Sequence, residues 1–189
     1  MEQHVLVRFY HEIALKGGNR PWFLRQMAKN LKRALTGTGV SGIKRDSMMA
    51  TFKLKSEDQW PLVKERLEHV IGVERFSRAY RVDPTIEAIQ DAVPAMLEGH
   101  NPKSFRVTAR RTDKRFPMTS PEINQRLGDQ IKSATGWPVD LKNPDFNLQV
   151  QTTGNDALLT TEELRGPGGM PVGVGGHVAM LLSGGIDSP

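Results

Sequence analysis

The feature that most limits the possible folds is the order in which apolar periodicity switches between two and about 3.6 residues along the first eighty positions. Residues 4–10 (His-Val-Leu-Val-Arg-Phe-Tyr) read as a strand, followed by a turn at Gly17-Gly18. Asn19 is placed to cap a helix with Pro21 in its first turn, and Leu24, Ala28, Leu31 and Leu35 recur at helical spacing until Gly37 stops it. Strands over 40–45 and 48–54 form a hairpin about Asp46-Ser47. Ser56-x-x-Gln59 makes a capping box for a helix carrying Trp60, Val63 and Leu67, and Val73–Ala79 supplies another strand. The resulting order β-α-β-β-α-β is the split βαβ of ferredoxin-like domains, and it places one small domain at residues 1–80.

A second α/β domain follows at residues 81–165. Asp83-Pro84 opens a helix with Ile86, Ile89, Val93 and Met96 or Leu97 as its buried stripe, and Pro94 is expected to kink it or end it early. Phe105–Arg110 alternates as a strand and leads into the loop 111–117. Ser120-Pro121 starts a helix through Ile123, Leu127 and Ile131 that Gly136 stops. Phe146–Gln151 alternates strictly, turns at Gly154-Asn155 and pairs with 157–161 as a hairpin. The glycine- and proline-rich stretch 166–176 reads as a linker. Beyond it the apolar run His177–Leu182 reads as a strand buried on both faces, ending on Ser183-Gly184-Gly185-Ile186-Asp187-Ser188. Overall the class is α+β. The helix expected after that last loop is not in the 189 residues, so the sequence reads as the front of a longer enzyme.

Composition bounds the chemistry. There is no cysteine, which excludes disulfides, thiolate zinc sites and a cysteine nucleophile within these residues. No apolar run approaches the ~20 residues of a membrane span and no signal peptide is present, so a cytoplasmic protein without a membrane partner is the expectation. The net charge is +5, and its distribution says more than its size. From Ile13 to Arg45 there is no acid, while Lys16, Arg20, Arg25, Lys29, Lys32, Arg33, Lys44 and Arg45 all fall there. Arg25, Lys29 and Arg33 stack at i, i+4 and i+8, an arrangement that repels itself unless an anion neutralises it; a simple solvated basic face is the alternative.

A second basic cluster occupies the strand and loop at 104–116. Arg110, Arg111, Lys114 and Arg115 offer phosphate contacts, and Phe116 is a candidate to stack on an unpaired base, a combination suited to single-stranded RNA ends. Alternatively Phe116 packs under its own loop. The terminal loop matches neither a Walker A nor a dinucleotide fingerprint. Its serine hydroxyls and glycine amides suit a phosphate or pyrophosphate, and Asp187 suits a helix cap or a magnesium ion on those phosphates.

Ser183–Ser188 resembles the PP-loop of ATP pyrophosphatases, which split ATP between its α and β phosphates and adenylate a substrate. Together with Phe105-Arg-Val-Thr-Ala-Arg-Arg-Thr-Asp-Lys-Arg-Phe116, the opening Val7–Gly17 and the passage Arg165–Gly173, it resembles the tRNA 4-thiouridine synthetase (tRNA sulfurtransferase) family over the whole chain. The resemblance implies a ferredoxin-like domain at 1–80, a THUMP domain at 81–165 that takes in part of the preceding helix from near residue 58, and the start of a PP-loop domain at 177–189. It implies that the THUMP domain grips the acceptor end of tRNA through Arg110, Arg111, Lys114 and Phe116. It implies that Ser183, Gly184, Gly185 and Ser188 hold ATP phosphates, that Leu181 and Leu182 present backbone to the adenine, and that Asp187 is the essential aspartate. ATP, with magnesium, would then activate O4 of a uridine near position eight, and sulfur from a persulfide-carrying donor protein would replace it. The completing domain and any sulfur-carrying cysteine lie outside these residues, so activity is expected of the full-length protein and not of this segment. The reach from acceptor end to internal uridine suits a homodimer. Two alternatives stand beside this: a stand-alone RNA-binding module, or adenylation of another substrate such as a thiamine precursor or a different base.

Overall fold

Strand order follows from which strands have two edges to fill. In the computed structural model, which describes residues 2–176 and Ala179, β1 (Glu2–Phe9) pairs antiparallel with β3 (Met49–Lys53) on one edge and β4 (Val73–Val82) on the other. β2 (Ser41–Asp46) closes against β3 through the two-residue turn Ser47-Met48, in which Ser47 takes a φ of 49°. α1 (Arg20–Ala34) and α2 (Trp60–Leu67) make the crossovers, and the order β2-β3-β1-β4 is that of a ferredoxin-like sheet. The strand and phosphate loop expected over 177–188, with Asp187 and the six ATP-binding positions, lie outside the described residues apart from Ala179.

β4 does not end the sheet. Its free edge accepts β8 (Leu164–Arg165) at Arg75 and Phe76, and β7 (Ala157–Thr160) at Tyr80 to Val82. β6 (Phe146–Thr152) pairs antiparallel with β7, and β5 (Phe105–Arg111) lies parallel to β6 across the crossover helix α4 (Ser120–Thr135). Eight strands therefore form one sheet, β2-β3-β1-β4-β7-β6-β5 with β8 also on β4, and the boundary expected at 80/81 falls inside β4.

The pleat puts all helices on one side. Val5 and Val7 of β1 share a face with Phe76 and Tyr80 of β4, and Tyr80 pairs with Leu159. Phe76 belongs to the same buried cluster as Leu24, Met27 and Leu31 of α1, and Tyr80 packs against the second cluster, which α3 (Ile86–Leu97) and α4 build with β5 to β7. Residues of opposite parity point to a face that carries no helix among the described residues: His4, Leu6 and Arg8, Ser77 and Ala79, Leu158, Gln151, and Arg106, Thr108 and Arg110.

Several local expectations are corrected. Asn19 sits at the N-cap but in helical geometry with no side-chain cap, because a 3-10 turn over Gly17–Asn19 already feeds α1 and the Asn19 N–H donates to the Lys16 carbonyl. Met27, rather than Ala28, is buried beside Leu24 and Leu31 on that helix. The Ser56 capping box does not form: Gln59 reaches back past Ser56 and accepts from the Lys55 N–H at 2.9 Å. Pro94 does not end α3, which runs to Leu97. The missing N–H leaves the Gln90 carbonyl free, and Gln130 of α4 donates to it at 3.0 Å while Arg126 donates to the Gln90 side chain, so the helix contact supplies the bond that proline removed. α4 does start at Ser120 as expected, and Thr119 caps it in a box with Glu122.

The stretch expected as a linker is a packed strap. Gly166 donates to the Glu74 carbonyl, Gly168 to that of Val73, and Gly72 to that of Gly168; Pro171 is buried and Met170 packs on the α1–α2 core. Glycine is required at 166 by proximity, since a Cβ there would lie 2.5 Å from the Val73 oxygen. Gly166→Ala is expected to cost about 2 kcal/mol through this overlap, while Gly175→Ala, whose Cβ meets nothing within 4 Å, leaves stability unchanged. Denaturant midpoints of the two variants check this, and equal midpoints would contradict the packing of the strap.

Candidate nucleic-acid interface

β3 and β6 are four strand spacings apart, about 19 Å in a flat sheet. Yet Gln151 of β6 donates to the Met49 sulfur of β3 at 2.9 Å, and Arg8 of β1 donates to the Gln151 oxygen at 2.8 Å. The sheet must therefore curl about β4, with its helix-free face on the inside. Leu6, Ala79 and Leu158 meet at the bottom of the curl against Met49. That small apolar cluster explains why residues on a face without helices are nevertheless buried.

One end of this concavity is a cleft of about 390 Å³ lined by Arg8, His11, Met48, Met49, Arg110 and Gln151. It joins side chains from both halves of the sheet. Arg8 is its least expected component. The side chain is only 20% exposed, its nearest carboxylate is Glu163 at 3.9 Å, and that carboxylate is engaged at 2.6 Å by Arg75. Burial, followed by the neighbouring Arg110 guanidinium, pulls the Arg8 pKa down from its usual value. Arginine does not give up its proton under such pressure, so the pair is a cationic site short of an anion. The sequence signal was present: an arginine interrupts the apolar run Val5-Leu6-Val7 on a central strand.

The structure separates the residues of the basic loop. Arg110 is exposed on the concave face. Arg111 points to the other side, where its Nη1 donates to the carbonyls of Phe116 and Met118, both at 3.2 Å, so it braces the loop. Lys114 is exposed at the tip. Arg115 is exposed but grips Asp113 with Nη2 at 2.6 Å and Nε at 2.9 Å, which holds the Asp113 carboxyl below its usual range. Phe116 corrects the stacking expectation: it is 6% exposed and belongs to the core between α3, α4 and the sheet, so its ring has no face for a base. Arg25, Lys29 and Arg33 are exposed on α1, form no ion pair among the described residues, and lie on the helical side of the sheet, away from the concave face.

The model of the ThiI ferredoxin-like domain matches residues 4–77 and that of the THUMP domain matches residues 84–162. A probable tRNA sulfurtransferase of Thermus thermophilus is 48% identical over the whole chain, which covers 46% of that protein. A protein of the same name from Moorella thermoacetica is 38% identical, again over the whole chain and 48% of the relative. A crystal structure of a 4-thiouridine synthetase–RNA complex with bound ATP matches the whole chain and 48% of its own, with a TM-score of 0.78 and 33% identity. The chain thus spans about half the length of the curated relatives it matches.

The two adjacent arginines are expected to separate in solution. Arg111→Ala should lower stability by about 1 kcal/mol through loss of the loop carbonyl bonds, whereas Arg110→Ala should stay within about 0.5 kcal/mol. Unfolding midpoints decide it, and equal losses would contradict the opposite orientations.

Proposed function

Because this chain carries a ThiI ferredoxin-like domain followed by a THUMP domain, and aligns along its whole length with proteins named as tRNA sulfurtransferases, we propose that it is the tRNA-gripping part of an ATP-dependent tRNA sulfurtransferase. The observation that carries this reading is the likeness of the entire chain to a 4-thiouridine synthetase crystallised with RNA and ATP. The concave face supplies the chemistry. Arg8 and Arg110 receive phosphates of the tRNA acceptor end, the arginine fork giving two parallel bonds per phosphate. The sulfur-containing wall formed by Met48 and Met49 takes an unstacked base. Lys114 and Arg115 add charge beside this face, and Arg25, Lys29 and Arg33 form a separate phosphate-binding stripe on α1.

In the full-length protein the reaction assigned is conversion of a uridine near position eight of tRNA to 4-thiouridine. ATP, with Mg2+, is assigned to Ser183, Gly184, Gly185 and Ser188 at its phosphates and to the Leu181 and Leu182 backbone at its adenine, with Asp187 as the essential carboxylate. When bound, ATP supplies the adenylyl group that makes O4 a leaving group; the outer sulfur of a donor protein's persulfide attacks C4 and expels AMP with that oxygen, leaving a disulfide between donor and base, and a second thiol attacks the donor's inner sulfur to release 4-thiouridine and a protein disulfide that an external thiol reduces. The reach from the acceptor end to an internal uridine across two small domains supports delivery of that uridine to the ATP site of a second copy in a cytoplasmic homodimer.

Arg8→Ala and Arg110→Ala are each expected to weaken tRNA binding about tenfold and to reduce the slope of log affinity against log salt by about 1. Fluorescence anisotropy across a salt series measures both, and unchanged affinity in both variants would sink the interface. In full-length protein Asp187→Ala should abolish 4-thiouridine formation, read by mass spectrometry of tRNA, with tRNA affinity intact. Collapse of tRNA binding instead would make Asp187 a structural cap.

A further inference from the structure

Given the reading of Arg8 as a phosphate contact, on which this rests, we propose that Arg75 is a positioning residue for the RNA site. It holds the Glu163 carboxylate away from Arg8 and so keeps the Arg8 guanidinium open to a phosphate. Arg8 of β1 and Arg75 of β4 are register partners, so both side chains rise on the concave face, and Glu163 reaches both from the connection between β7 and β8. Its two oxygens are used unequally. Oε2 accepts from the Arg75 Nη1 at 2.6 Å, whereas Oε1 stops 3.9 Å from the Arg8 Nε, beyond hydrogen-bond range. The Arg75 contact is a charge-assisted bond, and it draws the Arg75 pKa upward.

Among the described residues, the groups that hydrogen-bond to Arg8 are neutral. Its Nη2 donates to the Gln151 amide oxygen at 2.8 Å and its Nη1 to the Met49 sulfur at 3.4 Å. The Gln151 amide is itself held by its Nε2, which donates to the same sulfur at 2.9 Å. These acceptors fix the direction of the guanidinium without cancelling its charge. The Glu163 carboxylate would cancel it after a shift of only about 1 Å, and the grip of Arg75 opposes that shift. An Arg8 already paired with Glu163 would have to exchange one charged bond for another on meeting RNA, whereas an Arg8 without a carboxylate gains the phosphate bond outright.

The test is a double-mutant cycle on full-length protein, with tRNA affinity read by fluorescence anisotropy across a salt series. The Arg75 side chain is 47% exposed, so its replacement leaves the core untouched. Arg75→Gln should weaken tRNA binding about fivefold and lower the slope of log affinity against log salt by up to about 1, because the freed Glu163 neutralises Arg8. In a Glu163→Gln background the same substitution should change affinity by less than about twofold and leave the slope alone. Arg75→Lys, which keeps a cationic donor for Glu163, should bind within about twofold of wild type. An equal loss on Arg75→Gln in both backgrounds would mean that Arg75 meets RNA itself and would overturn the inference, as would no loss in either. A tRNA affinity unmoved by Arg8→Ala would instead remove the phosphate reading beneath it, a result distinct from both.

Discussion

The molecule depends on β4 having both edges occupied. One edge pairs with β1 from Glu2–Arg81 to Phe9–Val73, while the other is divided between β8 at its start and β7 at its end. A strand used this way cannot belong to one domain. It forces the ferredoxin-like half and the THUMP half into one sheet, and the right-handed twist accumulated over seven neighbouring strands brings Met49 and Gln151 into contact. Because Phe76 and Tyr80 share a face, both hydrophobic cores, and with them all four helices, fall on one side. The inner face is left for function.

That inner face is built against electrostatic preference. Arg8 is drawn into the sheet beside Arg110, and the acid nearest to it is committed to Arg75. Such an arrangement weakens the free protein relative to one in which Arg8 has a carboxylate of its own. The basic loop works differently: Arg111 and the Asp113–Arg115 pair hold its shape, while Phe116 fixes it to the core. A cluster that looks uniform in sequence thus divides into residues that reach outward and residues that hold those in place.

Much of the fold was legible because its elements obey simple periodicities. Ile123, Leu127 and Ile131 at helical spacing, and Phe146, Leu148 and Val150 in alternation, have one reading each. The failures have a common cause, partners distant in the chain. Pro94 reads as a helix breaker until Gln130 supplies a donor forty residues away. The stretch 166–176 reads as a linker until Val73 and Gln26 are seen against its glycines at 166 and 173. Arg8 reads as one polar residue in a strand until the curl brings Gln151 to it. Adjacent positions such as Arg110 and Arg111 are legible as a charge count but not as a direction, since the pleat sends them to opposite faces.

The central proposal is that RNA meets the concave face, with the stripe on α1 as a second contact, and does not meet the helical side over α2 to α4. Arginine-specific chemical footprinting of the chain with and without tRNA, read by mass spectrometry, tests it most directly. Modification of Arg8 and Arg110 should fall strongly when tRNA is bound, while that of Arg66 on α2 and Arg126 on α4 should not change. Protection of Arg66 and Arg126 with Arg8 and Arg110 unaffected would contradict the account.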